Sequence, residues 1–132
     1  MECHFVNKRT GPSGEELVAV AGVFIKAGTT ANGALSRIWE NMPPPAGKDG
    51  TDIKDVNLNR LLPKTGSKVF RYNGSLTGAP FPSAQSVIWT IYETPVEASA
   101  EQIAKFQRAY PPNARNIQPR NARKVFHLER WK

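Results

Sequence analysis

Hydrophobic and polar positions alternate from the first residues of the chain. Glu2, His4 and Val6 fall on one side and Cys3 and Phe5 on the other, and this two-residue period predicts a strand over 2–8. A turn at Gly11-Pro12-Ser13-Gly14 follows, and then Leu17 to Lys26 (LVAVAGVFIK) reads as a second, nearly all-apolar strand. The two are expected to form an antiparallel hairpin whose second strand is buried on both faces. The chain thus begins inside a strand, with no lead-in.

After Gly28 the period changes. Ala34, Leu35, Ile38, Trp39 and Met42 recur at helical spacing, with Pro43-Pro44-Pro45 as the stop. Residues 46–56 are polar and predict a loop, and 57–62 one helical turn that Pro63 ends. Val69 to Tyr72 predicts a short strand leading into a turn at Asn73-Gly74, and Val87 to Tyr92 another apolar and aromatic strand. Ser99, with Gln102 three positions on, has the spacing of a capping box and opens a helix with Ile103 and Phe106 on one face. Pro111-Pro112 closes that helix, and the tail from Asn113 is basic and extended, with one strand near 124–128. The pattern describes a single, mainly β domain with short helices, without repeats or an internal boundary.

The 132 residues suit one compact domain, and 39% hydrophobic with 9% aromatic content is enough for a packed core. No apolar run approaches the roughly 18–20 residues needed to cross a bilayer. No basic segment followed by an apolar stretch marks a secretory signal, and the compartment is not indicated. Cys3 is the one cysteine, so an intrachain disulfide is excluded. The net charge of +7 raises nucleic-acid binding, because clustered cations neutralise phosphates. Here the cations are spread along the chain, with a modest concentration at Arg115, Arg120, Arg123, Lys124, Arg130 and Lys132, and no recognition motif accompanies them. Neither a nucleic-acid nor a membrane partner is expected.

The candidate chemistry is sparse. His4 and His127 are the two histidines, and Glu2-Cys3-His4 offers a possible ligand cluster. A strand sends residues 2 and 4 one way and residue 3 the other, so Cys3 and His4 should not share an ion. A lone strand histidine is by itself more often structural than a ligand. Ser75 and Thr77 sit in Gly74-Ser75-Leu76-Thr77-Gly78, which matches neither the G-x-S-x-G elbow nor a phosphate-binding loop.

Several segments together resemble the α-class carbonic anhydrases, in their bacterial form and over the C-terminal half. Glu2-Cys3-His4-Phe5-Val6 resembles the strand E-x-H-x-V that carries the third zinc histidine. Val18 to Phe24 resembles the next strand and Gly33 to Met42 the helix after it. Leu61-Leu62-Pro63, Tyr72-Asn73-Gly74-Ser75-Leu76-Thr77, Val87-Ile88-Trp89-Thr90, Pro95, Ser99 with Glu101-Gln102, and Ile117 to Asn121 with Arg123 follow in the same order as in that family. The match runs from residue 2 to about residue 125.

The resemblance implies part of a large central, mostly antiparallel sheet, with a zinc at the floor of a cleft and reversible hydration of carbon dioxide to bicarbonate as the reaction. It assigns His4 as a metal ligand, Glu2 as the acceptor behind its imidazole, and Thr77 as the group that orients the attacking hydroxide. Val6, Val20, Leu76, Val87 and Trp89 would line the substrate pocket, although their pattern alone suits plain core packing equally well.

The departures are equally specific. The family's H-x-H strand, with the first two zinc ligands, precedes the matched segment, as do its proton-accepting glutamate and its shuttle histidine. One of three zinc ligands is therefore present, and the chain alone is expected to be inactive. Truncation of the gene product or gene model is the favoured explanation, against a split protein that needs its N-terminal half as partner, or a non-catalytic binding module on the same scaffold. The loop after Thr77 also differs: T-T-P-P-C reads Thr77-Gly78-Ala79-Pro80-Phe81, and 82–86 is about two residues longer than usual. The cysteine that many bacterial members use for a disulfide falls at or near Phe81, not at Cys3.

Overall fold

The computed structural model describes residues 1–40, 42, 53–78 and 87–129. Five strands form one sheet in the order β1-β2-β4-β3-β5: β1 (Glu2–Thr10), β2 (Glu16–Gly28), β3 (Val69–Gly74), β4 (Val87–Ser99) and β5 (Val125–Leu128). Every neighbouring pair is antiparallel except β2 and β4, which run parallel. Two helices, α1 (Gly33–Glu40) and α2 (Ala100–Ala109), and a 3₁₀ turn at Leu58–Leu61 complete the described elements. Among the described residues no helix is long and apolar enough to cross a membrane.

The β1–β2 hairpin follows the alternation. His4 pairs with Gly22 and Val6 with Val20, and the turn is closed by Gly14 N–H donating to the Gly11 carbonyl at 3.0 Å. Gly14 sits at φ +86°, a left-handed conformation that glycine adopts without steric cost. β2 contributes to both sides of the sheet, but over different lengths. Val18 and Val20 are buried on one face with Val87 and Trp89, and Val23 and Ile25 on the other, while Ala19 and Phe24 remain exposed.

The second face carries the helices. Ile25, Ala34, Leu35, Trp39, Leu61 and Ala98 form a cluster against which Cys3, Phe5, Ile103 and Phe106 pack. Ser99 caps α2: its hydroxyl accepts from Gln102 N–H at 3.2 Å, and the Gln102 side-chain oxygen accepts from Ser99 N–H at 3.1 Å. Gln102 also ties the two helices together, accepting from Asn32 N–H at 2.9 Å and donating to the Asn32 carbonyl at 2.9 Å and the Ser36 hydroxyl at 2.7 Å. The turn at 57–62 is present, with Asn57 capping it.

Two sequence expectations are corrected. The chain does not turn at Asn73-Gly74: Gly74 stays in β3, paired with Val87. Glycine is required there for close approach, because a Cβ would lie 3.0 Å from the Trp89 indole and 3.0 Å from the Tyr72 ring. β4 also runs on past Tyr92 to Ser99. Its register on β2 slips between Val23 and Ile25, so residues 93–95 bulge opposite Phe24, and Pro95 sits where no ladder N–H is needed. The expected proline stop at 43–45, most of the 46–56 loop and the altered loop at 79–86 lie outside the described residues.

Candidate active site

The first face of the sheet assembles the site, because paired residues of neighbouring strands share a side. Val6, Val20, Trp89, Tyr72 and Val125 form one row across all five strands, and His4, Gly22, Ile91, Phe70 and His127 form the next. Glu2 lies two residues from His4 on the same side of β1. Its Oε1 is 3.0 Å from His4 Nε2. That nitrogen is buried and makes no aligned hydrogen bond, so the carboxylate lies beside the ring nitrogen but off its N–H direction. The contact directs Nε2 at Glu2 and leaves Nδ1 as the imidazole's other nitrogen.

The His4 ring stands edge-on against Trp89, with centroids 4.9 Å apart and planes at 73°. Opposite it, Gly22 leaves the necessary space: a Cβ there would lie 2.5 Å from Ile91 Cδ1 and 3.0 Å from Glu2 Oε1. Trp89 is itself fixed, stacked on Tyr72 at 6.4 Å and donating from Nε1 to the Ser75 carbonyl at 3.0 Å. That bond connects the sheet to the segment carrying Leu76 and Thr77.

A cavity of about 390 Å³ opens beside this indole, lined among others by Glu2, Tyr72, Thr77, Trp89, Arg120 and Arg123. Leu76 lines it as well, and Thr77 is exposed. Val20 and Val87, each 2% exposed, lie packed with Trp89, Tyr72, Leu76 and Ile91 rather than on the cavity wall. Val6 is half exposed on the same face. A larger groove of about 540 Å³ between α1 and α2 is lined by charges of both signs and contains none of the candidate site residues.

Sequence reasoning did not place Tyr72, Ser75, Arg115, Arg120 or Arg123 at this cavity. The available signal was the concentration of cations after Asn113, which the topology carries back beside β3. Burial and the Glu2 carboxylate push the Tyr72 hydroxyl above its ordinary pKa of 10.0, with Arg123 opposing. The phenol therefore stays protonated at neutral pH. Cys3 faces the helices, and burial raises its thiol from 9.0.

A family model described as eukaryotic-type carbonic anhydrase matches residues 1–129. The carbonic anhydrase of Nostoc sp. is 41% identical over 127 residues, which are 95% of this chain and 45% of that protein. Among solved structures, the α-carbonic anhydrase of Thermovibrio ammonificans, in complex with the inhibitor sulfanilamide, superposes with a TM-score of 0.78 at 36% identity, covering 94% of this chain and 52% of that one. A hyperthermostable carbonic anhydrase from a hydrothermal vent chimney gives 0.79 at 38%, covering 96% and 54%. Fold and matches define the class first, proteins built on the sheet of the carbonic anhydrases. Within it, the chain belongs to the carbonic anhydrase family, in its eukaryotic-type or α form. The chain spans about half the length of the curated relatives it matches.

Zinc belongs to that family, and the residues of this chain fit it only in part. A catalytic zinc takes three protein ligands. Among the described residues no group of three or more His, Cys, Asp or Glu could hold a metal. His127 shares a row with His4, but four strand spacings separate them, about 19 Å. His4 with Glu2 beside it is a single candidate ligand among the described residues.

Proposed function

We propose that this chain contributes part of a single α-carbonic anhydrase domain, whose reaction is the reversible hydration of carbon dioxide to bicarbonate. In that reading His4 is one zinc ligand, Glu2 sets its tautomer, and Thr77 receives a hydrogen bond from the attacking hydroxide. Leu76 and Trp89 supply the apolar wall for an uncharged substrate, with Val20 and Val87 packed behind them and Val6 half exposed on the same face. The observation that carries the proposal is the Glu2–His4 contact at 3.0 Å, set against Trp89 on the face that also borders Thr77.

With the Glu2 carboxylate 3.0 Å from Nε2, Nδ1 is the nitrogen left for a metal, and Glu2 would accept from Nε2–H once the two groups align. Three-histidine ligation needs two donors beyond His4, so the 132-residue chain alone should not turn over. Carbon dioxide hydration is to be assayed on the purified chain with added zinc, and with a polypeptide bearing the family's H-x-H strand supplied in trans. Background rates alone and sulfonamide-sensitive turnover with the added segment are expected. Sulfonamide-sensitive turnover by the chain alone would overturn the inactivity. No gain in trans, with association demonstrated, would favour a non-catalytic binding module, the reading that the altered loop after Thr77 supports.

A further inference from the structure

We propose that the outer edge of β1 is a pairing surface for a second copy of this 132-residue chain, in an antiparallel register centred on Phe5. The inference rests on the edge and its charges, not on the carbon dioxide reading, and can fail separately from it. Met1 and Ile25 exchange both main-chain hydrogen bonds, at 3.0 and 2.8 Å. Antiparallel bonding repeats every second residue, so Cys3, Phe5, Asn7 and Arg9 bond to β2. Glu2, His4, Val6, Lys8 and Thr10 therefore point their N–H and C=O groups away from β2. Among the described residues no strand lies on that side. The edge is nine residues long, follows β2 without a register shift and contains no proline. It thus lacks the bulge and the proline that commonly blunt such an edge.

The occupant follows from charge. Two copies related by a two-fold axis through Phe5 set Glu2 of each opposite Lys8 of the other, and His4 opposite Val6. The two Phe5 rings then meet on the face that carries the helices. Moving the axis to His4 would put Glu2 opposite Val6, and moving it to Val6 would put His4 opposite Lys8. Of these three registers, the one centred on Phe5 joins carboxylate to ammonium, and does so twice. Glu2 has His4 beside it and no lysine or arginine partner among the described residues. Lys8 is half exposed and meets Glu16 at 3.2 Å, and an ammonium with three donors can serve a second carboxylate. One nine-residue strand pair falls short of the roughly 1,200 Å² at which standard stable interfaces begin, so the dimer is concentration-dependent.

The test is sedimentation velocity of the purified chain, reduced and without zinc, over a hundredfold range of concentration. A reversible shift from monomer to dimer is expected. The Val6 N–H points away from β2, so Val6→Pro removes an edge donor and spares the hairpin; dimerisation should weaken at least tenfold. Each chain carries a net charge of +7, so loss of a cation would by itself favour association. Lys8→Glu should instead weaken it at least threefold, and Glu2→Lys in the same chain should restore it. In a Cys3→Ser background under a mild oxidant, Phe5→Cys should give a disulfide-linked dimer, because Cβ atoms directly opposite lie about 4.5–5.5 Å apart. Asn7→Cys in that background, well off the axis, should not. If Val6→Pro loses the folded state, Lys8→Glu and its rescue decide. A monomer throughout the range, a dimer indifferent to Val6→Pro or to Lys8→Glu, or crosslinking by Asn7→Cys in place of Phe5→Cys overturns the proposal.

Discussion

Trp89→Phe tests the link between the sheet and the Thr77 segment. The indole is 3% exposed, and its Nε1 donates to the Ser75 carbonyl at 3.0 Å. Phenylalanine keeps an aromatic ring over His4 but cannot donate. The lost hydrogen bond is worth about 1 kcal/mol net, at the low end of the unsatisfied-group range because Ser75 is only half-buried and water can reach its carbonyl. The smaller ring removes roughly 40 Å² of buried apolar surface, about 1 kcal/mol more. Urea unfolding should therefore show a loss of about 2 kcal/mol at unchanged slope. The local effect is the sharper test. Amide exchange at Leu76 and Thr77 should rise about tenfold, the equivalent of ~1.4 kcal/mol, while amides of the β1–β2 hairpin follow global stability alone. A variant that loses less than about 0.5 kcal/mol, with exchange at residues 75–77 unchanged, would show that the indole does not hold this segment.

Gly22→Val should cost about 1–3 kcal/mol by overpacking and displace Glu2 from His4, seen as lost contacts between their side-chain protons; retained contacts would contradict the crowding at 2.5 and 3.0 Å. Gln102→Ala should cost about 2 kcal/mol, because it takes the side-chain acceptor from the Ser99 and Asn32 N–H groups while the Ser99 hydroxyl still caps α2; a loss below ~0.5 kcal/mol in urea would refute that role. Tyr72, Tyr92 and Cys3 have folded pKa values raised by burial from 10.0, 10.0 and 9.0, so the folded state holds their protons longer. Their stabilisation is complete below about pH 9 and is lost as pH rises through the folded values. The urea midpoint should accordingly fall above pH 9, and more shallowly between pH 10 and 11 in Tyr72→Phe; an identical slope would remove Tyr72 from the account. Calorimetric titration of zinc into the chain alone should show weak binding without a defined stoichiometry, unaffected by Cys3→Ser, whereas tight one-to-one binding lost in His4→Ala would mean another ligand completes the site.

What the sequence revealed and what it concealed follow from the range of the forces involved. The alternation of Glu2, His4 and Val6 is a backbone property of one strand, so the Glu2–His4 pairing and the turn of Cys3 to the opposite face could be read locally. The capping box at Ser99 was legible for the same reason. Asn73-Gly74 misled because its local preference is for a turn, while the need for glycine comes from Trp89, on a strand whose sequence position gives no hint of contact. Pro95 and the polar run around it concealed the second half of β4, since a register slip is a relation between two strands. The arginines at the cavity were visible as composition, but their placement beside Tyr72 depends on β5 returning to β3.

The parallel pairing of β2 with β4 also governs the order in which the protein can be built. The β1–β2 hairpin is complete once residue 28 has emerged from the ribosome, but the strand that covers its inner edge ends at Ser99. At roughly 5–20 residues per second, synthesis leaves that edge without its partner for several seconds. β3 cannot fill the gap, because it pairs with β4 and β5 and not with β2. During that interval Val18 and Val20 lack the Val87 and Trp89 side chains that later bury them, on a strand whose backbone groups are open to any extended peptide. The nascent chain is thus open to mispairing at β2 until the indole arrives to close the face.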